Sequence, residues 1–335
     1  MTTGHALRFR ENGEFRILHL TDIHKLHPNI ANEPKYAYRA EEKSQSTLRC
    51  IRECVESENP DLVVFGGDNI TGYLHGWTTE YVEWCLERIT APIREKGIPL
   101  AVVFGNHDAE NEGECPALSR ARQLKWFMRY ENFIGSHNEA EMRGVGNCHI
   151  PIYAAHGDRV LWNIWCVDSN AASHQEPVVD ETQIRWYEQT VAEEKRKYGR
   201  TIPAILFQHI PVRQVYDCIE ECDRDQMSFE ADGKFYHTRN GMLLGGELRE
   251  KPCASPSRDQ FEAWKRCGDI RAAFFGHDHT NTFHYEVSGI SLYQTVICGY
   301  ENYGDEHGGR LITLRGDGKT VAARTIIKDA SAQRK

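Results

Sequence analysis

The amino-acid sequence predicts an α/β protein built on a largely parallel sheet, and three observations carry that reading. Apolar runs at residues 15–20, 61–65 and 98–104 have the length and composition of buried strands. Helical patterns at residues 44–58 and 78–89 stand between them, giving strand–helix alternation. Each run stops at a polar tip, and open α/β sheets bind their ligands at the carboxyl ends of their strands.

In chain order, the first run ends in Thr21, Asp22, Ile23 and His24. Residues 25–43 are polar and read as a loop. Leu48, Ile51 and Val55 then recur at helical spacing, and Asn59-Pro60 stops that helix. The second run ends in Gly66, Gly67, Asp68 and Asn69. Tyr81, Val82, Cys85, Leu86 and Ile89 mark the buried side of the next helix, with Pro92 just beyond its expected end. The third run ends in Gly105, Asn106, His107 and Asp108, and a helix is expected at 120–130. There the pattern changes. Residues 146–154 and 160–167 read as an antiparallel hairpin. Ile184, Tyr187 and Val191 define a strong helix at 180–198. A strand at 203–207 is tipped by Gln208, His209, Ile210 and Pro211.

Residues 212–260 are polar and irregular. A stretch of that length is usually functional, and it reads as a flap over the site. A helix at 261–267 leads to a strand at 270–275 tipped by Gly276, His277, Asp278 and His279. Runs at 282–287, 292–298, 310–315 and 322–327 read as an antiparallel set. It would close a single domain spanning residues 1–335, with 330–335 a frayed tail.

At 335 residues the chain can bury a sizeable core. Its 40 basic and 49 acidic residues give a formal charge of -9, which argues against nonspecific nucleic-acid binding. No apolar run approaches membrane-spanning length. The opening residues carry no apolar signal core, so a cytoplasmic location is expected, with a secreted or organellar form the alternative. No CxxC pair occurs, and reduced cysteines fit a cytosolic chain. A zinc knuckle or disulfide among Cys218, Cys222, Cys253 and Cys267 is the alternative.

Collected, the tips offer Asp22, His24, Asp68, Asn106, His107, His209, His277 and His279. Taken singly, each has an ordinary explanation: Asp22 as a helix cap, Asp68 as part of a turn, His24 as a surface histidine. Five such tips in one chain point instead to a shared centre. Parallel strands of one sheet end at one edge. The spacing of two in Asp22/His24 and His277/His279 would turn both side chains of each pair the same way along extended backbone.

These donors are oxygens and imidazole nitrogens without thiolate, which suits Fe, Mn, Zn or Co. Seven ligands exceed the needs of one ion, and Asp68 is the expected bridge between two. Such pairs sit roughly 3.5–4 Å apart and clamp a transferring phosphoryl group. A metal-bridging hydroxide would attack phosphorus in line. His107 would stabilise developing charge or protonate the leaving oxygen. Asp108 is expected to accept the ring proton of a neighbouring histidine. His237, in the flap, and His307, in a glycine-rich loop, are further candidates for substrate contact. His137, His149, His156 and His174 lack such a context.

The ordered set Asp22-Ile23-His24, Gly67-Asp68-Asn69, Gly105-Asn106-His107-Asp108, His209 and Gly276-His277-Asp278-His279 resembles the signature of the calcineurin-like metallophosphoesterase superfamily. The resemblance covers roughly residues 15–327. It implies a four-layer α/β/β/α sandwich of two mixed β-sheets. It also implies Asp22, His24, Asp68 and His279 on one metal, and Asp68, Asn106, His209 and His277 on the other. His107 would be the catalytic histidine. The stretches LHLTDIH (18–24), FGGDN (65–69), His209-Ile210-Pro211 and FGHDHTN (275–281) look like the small single-domain purple-acid-phosphatase-like group. True purple acid phosphatases hold iron with a tyrosinate. Here His24 stands at the corresponding position, so no purple colour is expected. The implied activity is a dinuclear phosphoric ester hydrolase. A phosphomonoesterase acting on a small-molecule or protein-borne phosphate comes first. A phosphodiesterase for cyclic nucleotides or other diesters comes second, and a non-catalytic metal-binding scaffold third.

Overall fold

The computed structural model describes residues 6–30, 34–138, 141–171, 178–239 and 241–328. The expected tail at 330–335 and His174 lie outside them. Two mixed sheets carry the core. One has five strands, in the order Val321–Ile327, Gly308–Arg315, Glu14–Leu20, Leu62–Gly66 and Leu100–Val103. The last three run parallel, while Gly308–Arg315 lies antiparallel to Glu14–Leu20 with Leu311 opposite Leu18. The other has eight, in the order Leu7–Arg8, Cys148–Tyr153, Val160–Cys166, Ala204–Phe207, Ile270–Phe275, Ile290–Gln294, His284–Val287 and Leu243–Gly245. Its four central strands, from Val160–Cys166 to Ile290–Gln294, are parallel neighbours.

Alternation along each strand divides the apolar side chains among three cores. Ile17, Val64 and Val103 of the five-stranded sheet pack with Ile164, Phe207 and Phe274 of the eight-stranded sheet, forming the layer between the sheets. Leu18, Phe65 and Val102 face the opposite way, toward the helices Ala40–Glu58 and Thr79–Glu95, which contribute Ile51, Leu86 and Ile89. Trp165, Leu206 and Phe275 face the helices Glu181–Tyr198 and Asp259–Cys267, which contribute Trp186, Phe261 and Trp264. The result is a four-layer α/β/β/α sandwich. Burial on both faces is why the central strands read as unbroken apolar runs.

Four expectations need correction. The tips do not belong to one sheet. The closing runs are not one set either: His284–Val287 and Ile290–Gln294 form a hairpin in the larger sheet, while Gly308–Arg315 and Val321–Ile327 extend the smaller one. The helix expected to end before Pro92 continues to Glu95, because Ile89 and Ile93 are buried in the same core and outweigh the missing N–H. Residues 212–260 are not structureless. Ile219–Cys222, Lys234–Thr238 and Phe229–Ala231 form a three-stranded antiparallel sheet, and Leu243–Gly245 joins the edge of the larger sheet. That small sheet buries little beyond Ile219 and Phe229, so its sequence shows no apolar run.

Candidate metal centre

The carboxyl ends of Glu14–Leu20, Leu62–Gly66 and Leu100–Val103 meet those of Ala204–Phe207 and Ile270–Phe275 across the two sheets. Backbone hydrogen bonds join the tips. The N–H of Asp22 donates to Gly67 O at 2.9 Å, that of His24 to Asp68 O at 2.8 Å, and that of Gly276 to His209 O at 3.1 Å. Between the sheets, the His277 N–H donates to Asp22 Oδ2 at 3.0 Å. Glycine permits this closeness: a Cβ on Gly105 would stand 2.1 Å from Asp68 Oδ1, and one on Gly67 2.5 Å from His209 Nδ1.

Asp22, His24, Asp68 and His277 have φ of 52°, 48°, 50° and 75°. This is the left-handed region that side chains with a Cβ seldom enter. The pair Asp22/His24 therefore does not converge through extended backbone, as its spacing suggested. It converges because the chain curls at both residues. Such strain persists where surrounding contacts hold it, and it gathers at functional sites.

Two triads of ligand atoms result, Asp22–His24–His279 and Asp68–His209–His277, each with its atoms within 4.8 Å of one another. In the first, His24 Nε2 is 3.1 Å from His279 Nε2, which is 3.5 Å from Asp22 Oδ1. In the second, His209 Nε2 is 3.1 Å from Asp68 Oδ2. Asp68 Oδ2 also lies 3.7 Å from His24 Nε2, so this carboxylate faces both triads.

The donors fit cations better than they fit each other. Asp68 Oδ2, Asn106 Oδ1 and His209 Nε2 are buried without a hydrogen-bond partner, a costly arrangement for polar atoms. Asp68 Oδ2 and His209 Nε2 are close, but their geometry is not that of a hydrogen bond. His209 donates from Nδ1 to Gly66 O at 2.9 Å, and His279 from Nδ1 to Tyr303 O at 3.1 Å. Carbonyls placed on Nδ1 leave Nε2 as the ligand atom. Among the protein groups, burial lowers the His209 pKa, but the carboxylates of Asp68 and Asp22 outweigh it and raise it to about 10. Burial pushes His24 down to about 3 and His277 to about 4. Burial raises Asp68, but His209 and His107 hold it well below the usual carboxylate range.

A cleft of about 370 Å³ opens on the triads, lined by Asp68, Tyr73, His107, Glu250, His277 and Tyr303 among others. The His107 N–H donates to Asp68 Oδ1 at 2.7 Å, and its Nδ1 donates to Glu110 Oε2 at 2.5 Å. Burial lowers His107, but the carboxylates of Asp68 and Glu110 outweigh it and raise it to about 9.

Asp108 differs from its expected role. It is fully buried and accepts the N–H groups of Gly105 and Asn69 at 2.8 Å each and of Ile70 at 3.2 Å. It thereby ties the Asp68 tip to the Asn106 tip, and the ring proton it was assigned is held by Glu110. Burial and the Asp68 carboxylate push Asp108 up to about 7. His237 sits 3.3 Å from Glu220, and His307 is buried against Tyr300 at 3.7 Å between ring centroids; neither lines the cleft. Sequence reasoning missed Glu110, Glu250 and Tyr303. Glu110 had a readable signal, an acid three residues after His107; the other two are brought in from distant segments. Among the described residues, no helix is long and apolar enough to cross a membrane.

Residues 15–281 match the family model of the calcineurin-like phosphoesterases. Similar proteins include two from Arabidopsis thaliana named probable inactive purple acid phosphatases 14 and 28. The first is 26% identical across 92% of this chain and 76% of its own length; the second is 27% identical across 89% and 74%. Phosphatase DCR2 of Saccharomyces cerevisiae is 34% identical over 51% of this chain and 29% of its own length. Among solved structures, a dimetal phosphatase of Danio rerio superposes with a TM-score of 0.52 at 14% identity, covering 93% of this chain and 98% of that one. This last likeness shows the fold alone. The matched region contains all five tips, from Asp22 to His279, and the chain belongs to the calcineurin-like phosphoesterase family.

Proposed function

We propose that this protein is a dinuclear metal-dependent phosphoric ester hydrolase acting first on phosphomonoesters, small or protein-borne. The observation that supports this most is a pair of largely buried ligand triads opening, together with His107, on one cleft. Asp22, His24, Asp68 and His279 would hold one cation, and Asp68, Asn106, His209 and His277 the other. When bound, such a pair lowers the pKa of water and neutralises phosphate oxygens.

The chain's own residues supply the remaining steps. The carbonyls of Gly66 and Tyr303 keep His209 and His279 in the tautomer that binds through Nε2. Glu110 holds Nδ1 of His107, which leaves Nε2 to pass a proton to the leaving oxygen. Asp68 faces both triads through Oδ2 and fixes the His107 backbone through Oδ1, so the proton donor and the ligands keep one geometry. Lys251 also lines the cleft, but its ammonium is engaged by Asp232 at 2.8 Å.

A second reading, a metal-binding protein without turnover, is favoured by the names of the Arabidopsis relatives. A panel of monoester, diester, cyclic nucleotide and phosphopeptide, offered to metal-replete protein, separates the possibilities. Fastest turnover of the monoester supports the first reading. Faster turnover of a diester makes the chain a phosphodiesterase, and no turnover of any substrate leaves the scaffold.

A further inference from the structure

We propose that Glu250 and Glu301 are positioning residues for the Asp22–His24–His279 half of the centre. They act through the loop that carries Tyr303, and they set the cation affinity of that half separately from the other. The inference rests on the dinuclear reading above.

His279 is aimed by a segment outside both sheets. Its Nδ1 donates to Tyr303 O, and the Tyr303 ring covers its imidazole at 4.1 Å between centroids. Tyr303 is itself 52% exposed, so burial does not hold it. Glu250 holds it directly, and Glu301 holds the chain two residues before it. Glu250 Oε2 accepts the Tyr303 hydroxyl at 3.0 Å, and Glu250 Oε1 accepts the N–H of Thr280 at 2.6 Å. One side chain thus spans from the residue after His279 to the ring stacked on it.

Glu301, two residues before Tyr303, is buried. Its Oε1 accepts Lys25 Nζ at 2.6 Å and the Leu26 N–H at 3.2 Å. Lys25 directly follows His24, is wholly buried, and also donates to Leu26 O and Ser44 Oγ. The loop is therefore fastened toward His279 by Glu250 and toward His24 by Glu301. Removing one partner of such a buried pair strands the other charge.

The other half takes one backbone hydrogen bond from the first, His277 N–H to Asp22 Oδ2, and otherwise draws on different supports. His209 is held by the carbonyl of Gly66 at a strand end, and Asp68 Oδ1 by the N–H of His107. Among the described residues, no hydrogen bond joins Glu250 or Glu301 to Asp68, His209 or His277. Partners that orient metal ligands tune affinity by roughly 10–100-fold. The Tyr303 loop should therefore tune one site and spare the other.

The test is a calorimetric titration of Mn(II) into the metal-stripped full chain. Wild-type protein should take up two equivalents in two resolved steps, one of which His279→Ala abolishes. Glu250→Ala should weaken that same step by roughly 10–100-fold and leave the other within about twofold. Glu301→Gln should act on the same step. Tyr303→Phe keeps the ring and carbonyl but loses the Glu250 bond, and should weaken that step less. Glu250 is partly exposed, so Glu250→Ala decides the matter even if the buried Glu301 variant does not fold. Equal weakening of both steps, or no change in either, overturns the inference and leaves the dinuclear reading standing. Wild-type protein that binds no Mn(II) overturns both.

Discussion

The five-stranded sheet brings Asp22, His24 and Asp68 to the two triads, whereas the eight-stranded sheet brings His209, His277 and His279. One side supplies both carboxylates and one imidazole; the other supplies only imidazoles. Neither triad can be built from one sheet, since Asp22 and His24 need His279, and Asp68 needs His209 and His277. The centre is thus a seam between the sheets, and a bound cation would fasten them together. The family signature is scattered along the chain because each sheet collects its strands from distant stretches.

The largest expected effect comes from Asp68, whose Oδ2 lies 3.1 Å from His209 Nε2 of one triad and 3.7 Å from His24 Nε2 of the other. Asp68→Ala should lose both cations by elemental analysis and bring turnover to background. Retention of one full equivalent would show that Asp68 serves a single site. His107 belongs to the five-stranded side and stands outside both triads. His107→Asn should keep two cations and lower kcat by roughly 10²–10⁴-fold. A kcat equal to wild type would remove it from the proton-transfer role.

Stripping the metal tests the seam itself. At about hundredfold excess over Kd, a cation that binds only the folded chain stabilises it by roughly 2.7 kcal/mol per site. Chelation should therefore lower the Tm clearly, and unchanged unfolding would mean that the sheets do not depend on the centre. The smallest effect is expected within one sheet. Asp108→Asn turns an amide N–H toward backbone N–H groups and should cost roughly 2 kcal/mol in denaturant unfolding. Metal stoichiometry should stay at two, because Asp108 joins two tips of the five-stranded sheet and crosses no seam.

The candidate ligands were legible because a buried strand that stops at Asp, His or Asn has few structural uses for those side chains at its end. The family pattern supplied the two-sheet sandwich; the residues alone suggested one parallel edge, since alternating burial between two cores cannot be read from an unbroken apolar run. The convergence of Asp22 and His24 was expected for the wrong reason, because positive φ leaves no mark on residue spacing. The residues that aim the ligands stayed hidden for another reason. Tyr303 acts on His279 through its carbonyl, which every residue possesses, and Glu250 reaches it from a segment without apolar periodicity. Nothing local to either residue announces such a contact.

The most direct measurement is an anomalous difference map from crystals of the full chain soaked with Mn(II). Two peaks are expected, one among Asp22, His24 and His279 and one among Asp68, Asn106, His209 and His277. A single peak elsewhere, or none in well-folded, Mn(II)-saturated crystals, would contradict a cation pair held between the two sheets.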